Sequence, residues 1–494
     1  MNKSIDEFMA QFQMEGLTFD DVSLITQYAD FLPEEASLET RLTTRIGLHI
    51  PFVSAAMDTV TEASMGIGMA MLGGIGIVHK NLGPRAQARC VGVIKHHLHG
   101  LIRDPVVFRD TDTIQHIQDV RNEKGYSFNG FPILNAENLL VGILTASDLK
   151  FARDRDIQVR EVMTPNVISG SPDTTLAQAY DIMHTNKIGK LPLVENERLV
   201  GLYSYSDVRT LVEKVEPMYN RDERYRLRAG AAIGPGDHER VEILSEEEVD
   251  VVVIDTAHGH SQGVIDMVKW VKKSYPNIDV VAGNIGTGDA AVALRDAGAD
   301  AVKVGIGPGS ICTTRVVCGV GIPQFTAVYQ CAKALEGSIP VIADGGIRHS
   351  GDVPKALVAG ADCVMMGSVL AGTEESPGEK IIQEGRQYVL YRGMGSLAAM
   401  REARGSRERY LQHNASEDDL VPQGVEGLVP YAGTVRTVMN QYCGGLTSAL
   451  GYSGCPSIGE LQERGRVVRI SLAGLREAHP HDVRITREAP NYRT

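Results

Sequence analysis

The sequence predicts an α/β protein built on a (β/α)8 barrel and interrupted early by an inserted pair of repeats. Apolar, β-branched runs recur and alternate with helical patterns, as in a parallel sheet covered on both faces. The polar residues of these runs fall at their C-terminal ends, where a barrel assembles its active face. A paired motif also recurs within the second hundred residues, in a segment of different rhythm.

Residues 17–96 and 217–494 carry the barrel rhythm. The runs Val251-Val-Val-Ile-Asp255, Val280-Val-Ala-Gly-Asn284, Ala301-Val-Lys-Val-Gly305, Val341-Ile-Ala-Asp-Gly345 and Cys363-Val-Met-Met-Gly367 read as strands. Helical patterns over 263–274, 289–297 and 326–335 lie between them. A doubly wound sheet would gather ligands at the same strand ends. The dinucleotide signature is broken, however, because Cys312 stands where its third glycine would fall.

The insert reads as two copies of strand, turn, strand and helix. Phe131-Pro-Ile-Leu and Leu140–Leu149 match Leu191-Pro-Leu-Val and Leu199–Val208, and Gly142 to Gly201, like Asp148 to Asp207, spans 59 residues. Thr145 and Ser204 each precede an Asp by three, a spacing open to two readings: a hydroxyl and carboxylate for a ribose, or a helix N-cap. We expect residues 1–96 to open the barrel and 97–215 to form the insert, with units at about 97–156 and 157–215. Residues 216–494 would complete the barrel, with a mobile flap at about 398–430. The whole stretch 376–431 has weak periodicity and much Gly, Arg and acid, and reads either as a lid or as a solvated loop.

Composition bounds the function. A chain of 494 residues exceeds one ordinary core. A net charge of −13 argues against wrapping nucleic acid. Seven scattered cysteines with no CxxC pair or metal spacing suit a reducing compartment. The acidic N-terminus lacks an apolar signal core, no run reaches the ~20 apolar residues of a membrane span, and Asn491-Tyr-Arg-Thr494 carries no lipidation signal. The expected location is cytoplasmic.

The most informative stretch is Gly305-Ile-Gly-Pro-Gly-Ser-Ile-Cys-Thr-Thr-Arg315. Its glycines permit positive φ and close approach to a ligand, and their amides can line an anion- or cofactor-binding concavity. A cysteine on such a loop is placed like a nucleophile, although a buried structural thiol is the plain alternative. Asp255 and Asp344 have their own plain reading, as N-caps of the helices that follow.

Taken with Leu17-Thr-Phe-Asp-Asp-Val22, Ser54-Ala-Ala-Met-Asp-Thr-Val60, Asp255-Thr-Ala-His-Gly-His260, Ala343-Asp-Gly-Gly-Ile347, Tyr391-Arg-Gly-Met-Gly-Ser396, Arg409-Tyr410, Gln423-Gly-Val-Glu-Gly427 and Glu477-Ala-His479, this loop resembles the inosine-5′-monophosphate dehydrogenase family over nearly the whole chain. The resemblance implies a TIM barrel with an inserted Bateman module of two CBS repeats. It also implies NAD-dependent oxidation of inosine monophosphate (IMP) to xanthosine monophosphate, the committed step of guanine nucleotide synthesis.

By that resemblance, Cys312 attacks C2 of the purine, hydride leaves for the nicotinamide, and water hydrolyses the thioimidate. Splitting one hard oxidation into two easier steps is what a covalent adduct achieves. The free thiol pKa of ~8.5 must be offset by its surroundings. Ser310, Gly345, Gly346, Gly367, Ser368 and Tyr391 would hold the phosphate side, and Asp344 the ribose hydroxyls. Met57, Arg392, Gly393, Met394, Gly395 and Gln423 would surround the base. Asp255, Asn284, Gly305, Ile306 and Gly307 would meet NAD. Arg409 and Tyr410 would ride on the flap, with Arg409 activating water despite the high pKa of a guanidinium, above ~12. Thr314 would give a second proton route, weakened because Gln423 stands where many bacterial relatives carry an acid.

The resemblance further implies K⁺ held by carbonyls of Gly305, Gly307 and Cys312 and by Glu477, Ala478 and His479 of a neighbouring subunit. It implies a homotetramer, which the module could stack into octamers, and adenine or guanine nucleotides on the module. Cys318 stands where Thr is expected and His349 where an aromatic is expected. A guanosine monophosphate (GMP) reductase shares the barrel and cysteine loop; Arg409-Tyr410, the long lid and the inserted repeats speak against it. A nucleotide-sensing, non-catalytic relative is the other alternative.

Overall fold

A computed structural model describes residues 3–11, 15–97, 101–102, 105–124, 130–151, 154–213, 218–412 and 415–492. The chain divides into two compact units, one of residues 1–95, 218–220 and 227–494, the other of residues 96–217 and 221–226.

The first unit is a closed barrel of eight parallel strands: β1 (Phe52–Ser54), β2 (Ile75–Val78), β3 (Gly230–Ile233), β4 (Val251–Asp255), β5 (Asp279–Ile285), β6 (Ala301–Val304), β7 (Val341–Asp344) and β8 (Cys363–Met366). Every strand pairs with its chain neighbours, and β8–β1 and β2–β3 close the ring. The near-continuous apolar runs resolve into two alternating faces. Val251 and Val253 turn inward with Ile75, Ile77, Val281, Ala301 and Met365. Val252 and Ile254 turn outward into a larger cluster with Val264, Val268 and Val271 of the helix Gln262–Ser274. Each such Val or Ile contributes about 1.5–3 kcal/mol on burial.

The N-terminal rim is shut by polar groups. Asp250, Asp300 and Asp362, each one residue before a strand, accept the backbone amides of Ala229, Val280 and Val341 at 2.8, 2.8 and 2.9 Å. Lys95 and Lys272 pair with Asp250 and Asp300 at 2.8 and 2.7 Å. Asp279 at the start of β5 takes Thr43 and Arg45. Ligand space is therefore left to the C-terminal rim.

The stretch 376–431 is more ordered than a solvated loop. It forms a three-stranded antiparallel sheet of β9 (Lys380–Gln383), β10 (Arg386–Arg392) and β11 (Glu426–Pro430), with short helices Leu397–Glu402 and Arg404–Arg409 between β10 and β11. Glu384 (φ 52°) and Gly385 (φ 75°) make the tight hairpin turn whose twist matches antiparallel strands.

In the second unit, strands Phe131–Leu134 and Leu140–Leu144 pair, as do Lys190–Glu195 and Arg198–Ser204. Each hairpin also borrows chain from ahead of the other repeat: Leu101–Ile102 pairs with Leu202 and Tyr203, and Thr164 bridges Ile143. The two repeated glycines make room for these crossings, since a Cβ on Gly201 would strike Leu101 and one on Gly142 would strike Met163. Thr145 and Asp148 form a reciprocal cap, with the Thr145 amide donating to Asp148 Oδ2 at 2.7 Å.

Candidate active site

The strand ends deliver Asp255 (β4), Asn284 (β5), Gly305 (after β6) and Asp344 (β7) to one cleft. The helices after β4 and β7 take Ser261 and Gly351 as N-caps, so neither aspartate serves that purpose. Lys303 shares the inward face of β6 with Ala301 and is 1% exposed. Its ammonium donates to Asp255 Oδ1 at 2.9 Å, to Asp344 Oδ2 at 2.7 Å, and to Asn284 Oδ1. Burying that charge costs several kcal/mol unless it is paired; two carboxylates meet the need. Asn284 Nδ2 then donates to Asp344 Oδ2 and to the Gly305 carbonyl, both at 2.9 Å. Asp344 and Asp255 are thereby held rigidly with their remaining oxygens toward the cleft.

The cysteine loop needs its glycines at specific points. Gly305 has φ 154° and lies against the Asp344 carbonyl, where any Cβ would collide; Gly307 has φ 77° beside Arg315. Arg315 Nε donates to the Ile306 carbonyl at 2.9 Å. The thiol of Cys312 donates to Thr314 Oγ1 at 3.2 Å, and that hydroxyl to Gln423 Oε1 at 3.0 Å. The loop is laced to the C-terminal part of the flap segment: Thr313 N donates to the Gln423 carbonyl and Val425 N to that of Ile311, both at 3.0 Å.

A second cleft adjoins the first and shares Met57, Gly309, Asp344, Gly345 and Tyr391 with it. It is lined by Ser310, Gly346, Gly367 and Ser368. Gly345 and Gly346 have φ 91° and 86°. Tyr391 bonds Ser310 and reaches Met57 Sδ at 3.7 Å; burial pushes its phenol well up, so it stays a neutral donor. The combined space is elongated, with hydroxyls and backbone at one end and carboxylates, thiol and flap at the other.

From the flap, Arg409 bonds Asp255, its carbonyl accepts Ala257 N at 2.9 Å, and its guanidinium lies 6.0 Å from the Tyr410 ring. Burial raises the Tyr410 phenol, with Arg409 opposing the shift. Arg409 Nε is buried with no hydrogen-bond partner among the described residues.

Most of the residues singled out from sequence therefore meet. Cys312, Thr314, Met57, Asp255, Asn284, Gly305, Ile306, Gly307, Asp344, Gly345, Tyr391, Gly393, Met394, Arg409, Tyr410 and Gln423 line the first cleft. Of the residues expected around the base, two do not line either cleft. Arg392 follows Tyr391 on β10, so it faces the other way and pairs with Asp58 at 2.8 Å and with Glu402. Gly395 gives its carbonyl to Gln423 N at 2.9 Å and lies against Tyr410. Glu477, Ala478 and His479 sit on the C-terminal helix Leu472–Ala478 and its cap, where His479 bonds Tyr492 at 2.9 Å beside His349. Of the three carbonyls considered for a cation, those of Gly307 and Cys312 accept no described hydrogen bond, which leaves them available to coordinate; that of Gly305 already accepts Asn284. Sequence reasoning missed Lys303, although a lone Lys inside an apolar strand was a visible signal.

This barrel, with a cysteine loop facing paired aspartates, has clear relatives. The IMP dehydrogenase / GMP reductase domain profile matches residues 16–481. The chain is 50% identical over 496 residues to the inosine-5′-monophosphate dehydrogenase of Chlorobaculum tepidum, covering 98% of this chain and 100% of the relative. It is likewise 50% identical to that of Aquifex aeolicus over 97% of this chain and 98% of the relative. Among solved structures, a GMP reductase from Trypanosoma brucei in complex with guanosine 5′-monophosphate superposes with a TM-score of 0.82 at 40% identity, covering 95% of this chain and 98% of the other. The chain belongs to the IMP dehydrogenase / GMP reductase family. The reductase alignment also corrects one expectation: the insert is far longer than the small part of the chain left unaligned, so carrying it does not separate dehydrogenase from reductase.

Proposed function

We propose that this chain is an IMP dehydrogenase: it oxidises IMP to xanthosine monophosphate with NAD⁺ through an adduct on Cys312. The observation that carries the reading is that Cys312, Asp344, Asp255 and the flap pair Arg409–Tyr410 line one cleft. Membership of the family and 46–50% identity to curated dehydrogenases support it.

The phosphate would lie against Ser310, Gly346, Gly367 and Ser368, with Tyr391 donating, and Asp344 would accept the ribose hydroxyls. Cys312 Sγ then bonds to C2 of the hypoxanthine. Asp255 and Asn284 would hold NAD⁺, which would supply the acceptor for the hydride lost from C2. Hydrolysis requires water at C2; its addition breaks the C–S bond, and the sulfur leaves as thiolate. Arg409, with Tyr410 beside it, activates that water. The contact of Arg409 with Asp255 fits this second half, since the flap then takes the carboxylate that the cofactor ribose needs.

Carbonyls of Gly305, Gly307 and Cys312 would suit K⁺, the Gly305 oxygen keeping a second lone pair beside its bond from Asn284, with Glu477, Ala478 and His479 of a neighbouring subunit completing the cage in a homotetramer. The unit of residues 96–217 is a Bateman module for adenine or guanine nucleotides. A GMP reductase reading keeps some weight from the Trypanosoma brucei likeness. Mixing the protein with IMP, NAD⁺ and K⁺ while following NADH absorbance tests the choice, with GMP and NADPH as the control. Cys312→Ala should lower NADH production by about 10⁴-fold or more while IMP still binds by calorimetry; substantial residual turnover overturns the assignment.

A further inference from the structure

We infer that Lys80, on the loop after β2, is a positioning residue that holds the flap closed through Glu408, so that hydrolysis depends on it and hydride transfer does not. The inference rests on the function proposed above. Lys80 is 3% exposed in its side chain, and its ammonium bonds Asp237 at 3.2 Å and Glu408 at 2.8 Å. Asp237 belongs to the barrel rim, where it accepts Gly234 N at 2.7 Å and faces Arg240 at 3.4 Å. Glu408 belongs to the flap helix. One carboxylate therefore fixes the lysine from behind, and the other is present only while the flap is down.

Two further contacts put the flap helix directly on this loop. Ser406 Oγ donates to Asn81 Oδ1 at 3.1 Å, and Asn81 Nδ2 donates to Asp58 Oδ2 at 2.8 Å. Gly405 lies on the Lys80 carbonyl, where an added Cβ would come within 2.7 Å. Glu408 and Arg409 are adjacent, and each finds an opposite charge on the barrel: Lys80 for one, Asp255 for the other. That two-pronged register fits in one orientation only, and it is the orientation that puts Arg409 and Tyr410 beside Cys312. Lifting the flap leaves the Lys80 ammonium with one carboxylate where it had two, an electrostatic loss that favours closure.

Glu408→Gln keeps the shape and removes the charge, and Lys80→Met removes the other partner. Because Glu408 is 39% exposed, screening limits the effect: hydrolysis should slow about threefold to tenfold. The fraction of Cys312 held as nucleotide adduct, read by rapid-quench mass spectrometry, should rise. The pre-steady-state NADH burst should stay within about twofold, and excess NAD⁺ should inhibit at a lower concentration, because the cofactor and Arg409 compete for Asp255. The double variant should be no slower than the worse single one. An unchanged adduct fraction in Glu408→Gln, or a burst slowed as much as hydrolysis, overturns the inference; if Lys80→Met fails to fold, Glu408→Gln alone decides. A wild-type enzyme that never forms an adduct overturns the proposed function instead.

Discussion

Asp250, Asp300 and Asp362 at the foot of the barrel and Asp255 and Asp344 at its head are the same residue type, one just before a strand and the other at a strand's end. The lower three give their oxygens to backbone amides and, in Asp250 and Asp300, to lysines, and nothing is left over for a ligand. The upper two share Lys303, Asp344 also accepts Asn284, Asp255 takes Arg409 of the flap, and both line the cleft. Position along the strand, not residue type, separates structural from chemical use, as a barrel with an active C-terminal face requires.

Paired substitutions test that contrast most severely. Asp250→Ala removes the carboxylate paired with the fully buried Lys95 and should cost about 3–5 kcal/mol of stability, seen as a large drop in melting temperature, while the surviving folded enzyme keeps its KM for IMP. Asp344→Ala leaves Lys303 with Asp255 and should instead lower kcat/KM for IMP by about 100-fold or more with a smaller change in melting. The reverse pattern would erase the distinction between the two rims. A second test sets the fixed head of the barrel against the flap. Arg409→Ala should slow hydrolysis by about 100-fold and leave hydride transfer fast, so adduct accumulates in rapid-quench mass spectrometry; equal slowing of both steps would show the flap and the rim acting as one body. The smallest effect is expected from the insert. Replacing residues 97–215 by a short Gly/Ser linker should leave kcat within about twofold, an expectation that follows from the separate cores of the two units, and should abolish any response to added adenine or guanine nucleotides in the NADH assay.

The five strands from Val251 to Met366 were legible because their β-branched runs are short, apolar and bounded by glycine or polar residues. Phe52–Ser54, Ile75–Val78 and Gly230–Ile233 were not picked out, because Gly, Ala or Ser interrupts each apolar run. The Gly305 loop announced the cleft because glycine spacing and a cysteine are rare together. The roles of Lys303, Lys80 and Glu408 stayed hidden because each depends on partners 19 to 328 residues away. Arg392 misled for the opposite reason: a motif places adjacent residues together, and a strand then sends them to opposite sides. The hairpin of β9 and β10 was missed although Ile381-Ile-Gln-Glu-Gly-Arg-Gln-Tyr-Val389 carries a turn signal, because its outer residues are exposed and the alternation is weak.

The bond between Arg409 and Asp255 has a pharmacological consequence. On the proposed function, a small molecule aimed at the nicotinamide end would have to displace part of the protein's own chain, so its apparent potency would depend on where in the cycle it meets the enzyme. Compounds ranked on resting protein and on protein in steady turnover should fall in different orders. Weakening the strap that carries Arg409 should sensitise the enzyme to the whole class at once.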